Sequence, residues 1–414
     1  MILNEPKKQK DPDQEVKKVI LQLFNSKKFS EAKKEISVQI IKYPNSSILF
    51  NILGAVFAEQ NQLDEAVKNY KKATTLNPKY AQAYNNLGTA LQKLKKINDA
   101  VDCYKKALSL KEDFAEAYNN MGNLMRDLSK PKDALSYIER AIKIKPNFPE
   151  AYLNLGSANE EIGNLKDAVK NYKKTIEIKP DYAEAYNSLA LVLSVFTNFD
   201  EAISMFKKAI QLKPDYEKPY TNLANLYSDL GKFDLAENLY RQAIKIKPYY
   251  PKAHSNLLFS LNYKIDFDIK TYLSEAKKLG LNWNLNKKKI SIKYKYEKNP
   301  QKLKLGLVSS DFGSHPGGFF TLSTLKELKN KNFELIAYTN FFRKDDYVHN
   351  FEPLFSKWHS IVKKDDEQVI KQIMEDGIHI LIDMQGHSAH NRLPIFLYKP
   401  APIQASWLAQ GSTG

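Results

Sequence analysis

Two clusters of polar residues in the last quarter of the sequence carry the side chains best suited to catalysis. The first, SSDFGSHPGG, covers residues 309–318 and contains His315. An imidazole titrates near neutral pH, so His315 can accept a proton, relay it or orient a hydroxyl group. Gly317 and Gly318 would let the backbone approach a sugar or phosphate. The alternative is a histidine that only hydrogen-bonds the glycine-rich turn.

The second cluster, DMQGHSAHNR, covers residues 383–392. Together the clusters give these candidates for substrate binding: Asp311, Pro316, Gly317, Gly318, Asp383, His387, Asn391 and Arg392. Asp311 is expected to orient its loop. The spacing of His315, His387 and His390 matches no metal-binding motif, so we predict no metal site.

Short apolar runs alternate with amphipathic segments from Lys302 onward. The predicted strands are residues 303–309, 333–339, 359–362, 379–384 and 403–407. The predicted helices are residues 318–328, 345–355, 367–376 and 393–398. This alternation predicts a parallel sheet with helices on both faces. Ligands of such sheets bind at the carboxyl ends of strands, where both polar clusters fall.

The preceding part of the sequence is periodic. Prolines lie on a grid with a spacing of 34 residues: Pro44, Pro78, Pro146, Pro180, Pro214 and Pro248. Fixed positions of the repeat hold an aromatic residue or its substitute His254, a small residue such as Gly88 in most copies, and an alanine such as Ala100. A 34-residue period indicates stacked helix pairs, in which the small residues allow close approach and the proline ends each unit. We predict six full repeats, a degenerate first unit from about Asp13 and a last helix near residues 253–261. The aromatic residues are predicted to pack in the core.

An asparagine recurs two residues after the aromatic position: Asn86, Asn120, Asn154, Asn222 and Asn256. These amides could bind the backbone of an extended peptide, because an amide offers both a donor and an acceptor. They could equally bond the neighbouring helix.

The composition excludes several classes of protein. The net charge is +16, yet only five of the 63 basic residues are arginines, so nucleic-acid binding is not favoured. Cys103 is the single cysteine, which excludes a disulfide framework. The polar N-terminus and the short apolar runs indicate a cytoplasmic protein without membrane spans.

The repeat pattern resembles the tetratricopeptide family. Residues 305–316 (LGLVSSDFGSHP), 376–393 (DGIHILIDMQGHSAHNRL) and 399–409 (KPAPIQASWLA) resemble three blocks of the O-linked N-acetylglucosamine transferases, whose repeat domain carries a similar asparagine ladder. The resemblance implies a right-handed tetratricopeptide α-solenoid followed by a Rossmann-like parallel α/β lobe.

The family transfers a sugar from a uridine diphosphate donor to a serine or threonine hydroxyl. The resemblance therefore implies UDP-N-acetylglucosamine as donor substrate, protein or peptide acceptors in the repeat groove, no cofactor bound by this chain, and His315 as the active-site histidine. The family continues into a second lobe with a diphosphate-binding lysine, which these 414 residues do not include. We therefore expect this chain alone to be inactive.

Two other functions remain open on sequence grounds: a related fucosyl or glucosyl transferase, and a non-enzymatic adaptor that binds proteins. The expected organisation is a polar tail at residues 1–12, repeats at 13–263, a linker at 264–300 and the N-terminal half of a catalytic region at 301–414.

Overall fold

The computed structural model describes residues 11–265, 267–286, 289–329, 331–340, 345–387 and 390–407. Most of the predicted polar tail and the end of the third sequence block lie outside these residues. None of the helices in the described ranges is both long enough and apolar enough to cross a membrane.

The first part of the fold is a series of helices of 11 to 18 residues. They are α1 (Gln14–Asn25), α2 (Phe29–Lys42), α3 (Ser47–Glu59), α4 (Leu63–Leu76), α5 (Ala81–Lys93), α6 (Ile97–Leu110), α7 (Ala115–Asp127), α8 (Pro131–Ile144), α9 (Pro149–Glu161), α10 (Leu165–Ile178), α11 (Ala183–Val195), α12 (Phe199–Leu212), α13 (Glu217–Asp229), α14 (Phe233–Ile246), α15 (Pro251–Leu261) and α16 (Ile269–Asn286). Consecutive helices pack as pairs in the described ranges, as the period predicts: α1 with α2, α3 with α4, α5 with α6, α7 with α8, α9 with α10 and α13 with α14.

Close packing within each pair explains the recurring small residue of the grid. A Cβ atom on Gly88 would lie 2.8 Å from the Tyr104 ring, and one on Gly156 would lie 2.5 Å from the Tyr172 ring. Both tyrosine rings are fully buried. The small residue therefore makes room for a large side chain from the second helix of its pair.

The chain divides into two compact units, with the boundary between Met205 and Phe206 inside α12. The second unit contains α13 to α16 together with a parallel α/β lobe. The predicted fold class, a helical-repeat solenoid followed by a parallel α/β lobe, is confirmed.

The lobe is built on five strands with short helical connections. They are β1 (Leu303–Ser309), α17 (Pro316–Lys329), β2 (Phe333–Thr339), the 3-10 segments Asp346–Asn350 and Glu352–Leu354, β3 (Lys357–Ser360), α18 (Asp366–Asp376), β4 (Ile380–Asp383), α19 (Leu393–Phe396) and β5 (Ile403–Ser406). All strand pairs are parallel, in the order β3-β2-β1-β4-β5.

Alternate residues of each strand point to opposite faces of the sheet, and apolar side chains on both faces are buried under helices. Leu305 and Leu307 pack with Leu325 of α17 on one face. Val308 packs with Ile370 of α18 on the other. The two helices thus cover opposite faces of the sheet.

One predicted helix was wrong, and one strand was misplaced. Residues 345–355 form two 3-10 segments instead of an α-helix. The Asp345 carboxylate accepts a hydrogen bond from the backbone N–H of Tyr347 at 2.7 Å, and Pro353 lacks an N–H for a continuous helix. β3 begins at Lys357, two residues before the prediction, because Trp358 pairs with Ala337 in the sheet and packs against Phe312.

The residues after α16 form an irregular link that packs on the lobe. Ile290 and Ile292 contact the apolar face that includes α18. The Tyr294 hydroxyl donates to the carbonyl oxygen of Lys399 at 3.0 Å, and Nε2 of His379 lies 2.8 Å from the carbonyl oxygen of Glu297. This segment is therefore held against the lobe at several points.

A buried carboxylate joins β2, β3 and α18. The side chain of Asp376 is 3% exposed and accepts hydrogen bonds from Tyr338 at 2.8 Å and Lys357 at 2.7 Å. Nε2 of His359 lies 2.9 Å from the same carboxylate. Burial opposes the charged form, but these partners outweigh it and hold the pKa of Asp376 below its ordinary value.

Candidate active site

The strand order places a crevice between β1 and β4. The connection after β1 leads to α17 on one face, and the connection that reaches β4 runs through α18 on the other face. Adjacent strands whose connections leave in opposite directions form the usual ligand-binding position of an open α/β sheet. The backbone N–H of Ser310 donates to Oε1 of Gln385 at 3.0 Å, which links the two loops at this position.

A cavity of about 1580 Å³ opens at this crevice, entirely within the second unit. Residues of α13, α14 and α15 line one side, and the loops after β1, β2 and β4 line the other. Both polar sequence clusters contribute to the lining, which brings together residues from widely separated parts of the chain.

His315 lies on the wall of this cavity with its side chain 55% exposed. Its Nδ1 atom accepts a hydrogen bond from the backbone N–H of Gly317 at 3.1 Å and lies 3.4 Å from Oδ2 of Asp311. These two partners favour different tautomers, since the N–H needs an unprotonated Nδ1 and the carboxylate favours a protonated one. The rest of the ring remains accessible to a bound molecule.

The glycine pair after His315 has a structural reason of its own. A Cβ atom on Gly318 would lie 2.4 Å from the carbonyl oxygen of Gly313 and 2.5 Å from that of Asp311. A Cβ atom on Gly317 would lie 3.2 Å from the Asp311 carboxylate. Gly318 is buried, so it allows the loop to fold tightly against the start of α17, while Gly317 and Pro316 line the cavity.

Asp383 differs from the other candidates because it is turned into its own loop. It is 2% exposed and accepts hydrogen bonds from the backbone N–H groups of Gln385 at 3.1 Å and Gly386 at 2.9 Å. Burial raises the pKa of this carboxyl despite those bonds. Asp383 therefore stabilises the turn that contains Gln385.

His387 and Arg392 line the cavity and are also tied to the surrounding structure. Nδ1 of His387 lies 3.1 Å from Oγ of Ser255 in α15, and the ring is 2% exposed. The Arg392 guanidinium donates to the carbonyl oxygen of Lys364 at 3.1 Å and to Asp366 at 2.9 Å. Asn391 also lines the cavity, where its Oδ1 accepts from the backbone N–H of Leu393 at 3.3 Å.

Sequence reasoning missed several cavity residues. Gln385 and Asn340 are almost fully buried and hold the loops after β4 and β2 in place: Gln385 accepts from Ser310, and Asn340 donates to the carbonyl oxygen of His390 at 2.9 Å. Lys252 of α15 lines the cavity from the repeat side. Gln385 belongs to the second polar cluster of the sequence. Nothing in the strand pattern indicated that Lys252, a residue of a repeat helix, would line the same cavity.

The recurring asparagines are half-buried and bond neighbouring helices. In the first unit, Nδ2 of Asn86 donates to Asn51 at 3.1 Å, Nδ2 of Asn120 to Asn85 at 3.0 Å and Nδ2 of Asn154 to Asn119 at 2.9 Å. In the second unit, Nδ2 of Asn256 donates to Asn225 at 2.7 Å. Asn222 is half-buried as well.

Two of these amides make a second bond within the repeats: Oδ1 of Asn86 accepts from Gln82 at 3.0 Å, and Nδ2 of Asn120 also donates to Thr89 at 3.4 Å. An amide nitrogen carries two N–H bonds and the oxygen accepts separately, so a single bond, as at Asn154, uses only part of the group. Within the described ranges, no group of three or more histidine, cysteine or acidic side chains is arranged to hold a metal ion.

Family models match both the repeats and the α/β lobe. Residues 248–414 match the model of glycosyl transferase family 41. Tetratricopeptide repeat models match residues 54–95, 81–114, 115–148, 161–194 and 181–248.

Two relatives are similar in sequence to part of this chain. The probable UDP-N-acetylglucosamine–peptide N-acetylglucosaminyltransferase SPINDLY of Oryza sativa subsp. japonica is 30% identical over 166 residues, which are 38% of this chain and 17% of that protein. The UDP-N-acetylglucosamine–peptide N-acetylglucosaminyltransferase of Caenorhabditis elegans is 36% identical over 122 residues, which are 28% of this chain and 10% of that protein. The matched stretches thus span less than a fifth of either relative.

An O-GlcNAc transferase from Thermobaculum terrenum, solved in a mutant form, has a similar structure. The TM-score is 0.55 at 24% identity, and the match covers 63% of this chain and 50% of that one. At this identity the likeness shows a shared fold.

Proposed function

The chain joins tetratricopeptide repeats to a segment of glycosyl transferase family 41, the organisation of the O-linked N-acetylglucosamine transferases, and on this premise we propose that it takes part in transferring a sugar from a UDP donor to serine or threonine residues of proteins. The observation that carries the proposal is His315, exposed on a large cavity at the sheet's ligand-binding crevice. UDP-N-acetylglucosamine is the proposed donor and the cytoplasm the proposed location.

The reaction needs a serine or threonine hydroxyl to lose its proton as the new bond to the sugar forms. A neutral His315 with its proton on Nδ1, directed at Asp311, has an unprotonated Nε2 that can accept that proton. If Nδ1 instead accepts from Gly317, Nε2 carries the proton and orients the acceptor oxygen as a donor. Asp311 and Gly317, both in contact with Nδ1, therefore decide what His315 can do.

The repeats are the proposed binding surface for protein acceptors. The asparagines recur at half-buried positions, and Asn154 makes one side-chain hydrogen bond, so its second N–H and its oxygen can still bond a peptide. Asn256 reaches the cavity itself, next to Asn225. The proposed acceptor path would thus end where the proposed chemistry takes place.

The test compares His315→Ala with His349→Ala in the protein produced from its native reading frame. His349 is 77% exposed, contacts Glu352 and lies outside the cavity lining, which makes it a matched control. Transfer of radiolabelled sugar from UDP-N-acetylglucosamine to protein acceptors is measured, with UDP-glucose and GDP-fucose as competing donors. We expect about a 10²- to 10³-fold loss for His315→Ala and no loss for His349→Ala.

Normal transfer by His315→Ala would remove the histidine from the mechanism. Preference for another donor would instead identify a related sugar transferase. A wild-type protein that binds acceptors and transfers no sugar would support the adaptor function.

A further inference from the structure

Most charged groups that line the cavity are already engaged by the protein. Arg392 pairs with Asp366 at 2.9 Å. Asp345 accepts from the backbone N–H groups of Ser314 at 2.6 Å and Tyr347 at 2.7 Å. Asp311 accepts from the Ser310 hydroxyl at 2.9 Å and lies beside His315.

Two charged residues of the cavity wall have no such partner. Across the ranges that the structure describes, the side chains of Lys252 in α15 and Asp229 in α13 make neither a hydrogen bond nor an ion pair. Both side chains reach solvent inside the cavity. The surrounding walls still reduce their hydration, which lowers the pKa of Lys252, with a further contribution from Lys218, and raises the pKa of Asp229. A bound group of opposite charge would stabilise each of them.

The repeat grid shows a change of charge at the position of Lys252 and a change of pairing at the position of Asp229. The position of Lys252 is occupied in the full repeats by Ile48, Gln82, Glu116, Glu150, Glu184 and Lys218. Glu116 is an acid that pairs with Lys145 at 3.1 Å. The sign of the charge therefore changes from negative to positive in the units that reach the cavity.

The position of Asp229 shows the same contrast in pairing. The equivalent residues are Glu59, Lys93, Asp127, Glu161 and Val195. Two of these acids are engaged by the preceding repeat: Gln92 donates to Asp127 at 2.7 Å, and Arg126 pairs with Glu161 at 2.9 Å. The acid that stabilises the stack elsewhere is available to a ligand at Asp229.

The geometry separates the two charges along the wall. Short turns join α13 to α14 and α14 to α15, so α13 and α15 run in the same direction. Asn256 bonds Asn225 at 2.7 Å, which fixes the register of the two helices. Lys252 lies four residues before Asn256, and Asp229 lies four residues after Asn225. At 1.5 Å per residue, the charges are about 12 Å apart along the helix axes, the length of about four extended residues.

We propose that Lys252 and Asp229 form a polarised acceptor track, which selects peptides with an acidic residue on one side of the modified serine or threonine and a basic residue about four positions away on the other. The Asn225–Asn256 pair lies midway and contacts the peptide backbone. This inference rests on the proposed function, because it assumes that the cavity receives a peptide acceptor. The charges determine which acceptor enters, whereas His315 acts on whichever hydroxyl is bound.

The test measures binding of fluorescein-labelled nonapeptides to the 414-residue chain by fluorescence anisotropy. Three peptides carry a central serine flanked at positions −2 and +2 by Glu and Lys, by Lys and Glu, or by two Gln residues. We expect one charged order to bind about ten-fold more tightly than the other. Lys252→Gln and Asp229→Asn should each reduce that ratio, and the double variant Lys252→Glu/Asp229→Lys should reverse it. Lys245→Gln, on the exposed side of α14, should leave the ratio unchanged.

Equal binding of the two charged orders to the wild-type chain would overturn the inference and leave peptide binding intact. Absence of binding by all three peptides would overturn it together with the proposed acceptor path. If Lys252→Gln weakened binding of UDP and left the peptide ratio unchanged, Lys252 would belong to the donor diphosphate and the track would be wrong.

Discussion

The repeats and the α/β lobe differ in how regularly their backbones turn. Between the helices of each pair, one residue with positive φ recurs every 34 positions: Lys27, Asn61, Lys95, Ser129, Gly163, Thr197 and Gly231. The lobe has positive φ angles without any period, at Lys363, Gly377, Gly386, His390 and Lys399. In the repeats, the same turn conformation recurs and accommodates lysine, asparagine, serine, threonine or glycine. In the lobe, each turn has its own position and surroundings. Two of these turns, at Gly386 and His390, lie in the loop that lines the cavity.

The comparison shows where substitutions should matter most. The close approach of a glycine to the second helix recurs in four helix pairs, at Gly54, Gly88, Gly122 and Gly156. It can be lost once with local consequences, since each repeat packs mainly on its neighbours. A contact that ties together β2, β3 and α18 has no copy. We therefore expect the largest effects in the lobe and the smallest in the turns of the repeats.

The largest effect is expected at the buried carboxylate. Asp376→Asn should lower the free energy of unfolding by about 4 kcal/mol at pH 7, because it leaves Lys357 and His359 without their charged partner. The pKa of Asp376 is depressed in the folded state, so its contribution is present above the unfolded pKa of about 3.9 and is lost as the pH falls below that value. Urea unfolding at pH 7 and pH 3 should show the wild-type advantage shrinking in acid.

The control for that experiment is Glu375→Gln, an exposed neighbour on the same helix. An Asp376→Asn variant whose deficit is the same at both pH values would show that shape, and not charge, accounts for the contact.

An intermediate effect is expected from adding one methyl group to a crowded glycine. Gly318→Ala should lower stability by about 3 kcal/mol, because its Cβ would meet two backbone carbonyl oxygens that cannot move independently. Gly156→Ala meets the Tyr172 ring, a side chain that can shift within its helix pair, so about 2 kcal/mol is expected. Thermal unfolding of both variants, with Gly317→Ala as the less crowded control, measures the difference. A larger loss for Gly156→Ala would contradict the contrast between unique and repeated contacts.

The smallest effect, and a gain, is expected in a repeat turn. Thr197 is β-branched and has φ +58°, a conformation that glycine adopts without strain. Thr197→Gly should raise the free energy of unfolding by about 0.5–1 kcal/mol after the entropy cost of glycine is included. The reciprocal variant Gly163→Thr, at φ +84°, should lose a similar amount. Chemical denaturation of both variants checks the pair, and no change in either would show that these turns relax freely.

The sequence predicted the helix pairs of the repeats, because one physical constraint appears in it many times over. The aromatic residues Tyr84, Tyr118, Tyr152 and Tyr186, predicted to pack in the core, are half-buried. In the lobe, β1 and β2 were predicted at the residues where the structure has them, since both are long and apolar. The helix predicted at 345–355 was wrong because Pro353 lacks an N–H and because the Asp345 carboxylate accepts from the backbone N–H groups of Tyr347 and of Ser314, which lies 31 residues away.

The candidate site was predictable only where it lies at strand ends. His315 and the loop at 383–392 follow strands, so the strand pattern located them. Lys252, Asp229 and the Ser255–His387 contact could not be found in that way, because residues 132 positions apart form the wall together. Only the change from glutamate to lysine on the repeat grid hinted that the last units face something different.

The hydrogen bond between His387 and Ser255 bears on how the protein can be divided for engineering. A shortened version that starts near Phe206 would keep α13, α14 and α15 and hence the complete cavity wall. A version that starts at β1 would expose the face that α15 covers and open the cavity to bulk water. The smallest fragment that keeps the cavity therefore includes the last helical repeats. Fusing the lobe to repeats from another protein would replace this wall and so change which acceptors the cavity selects.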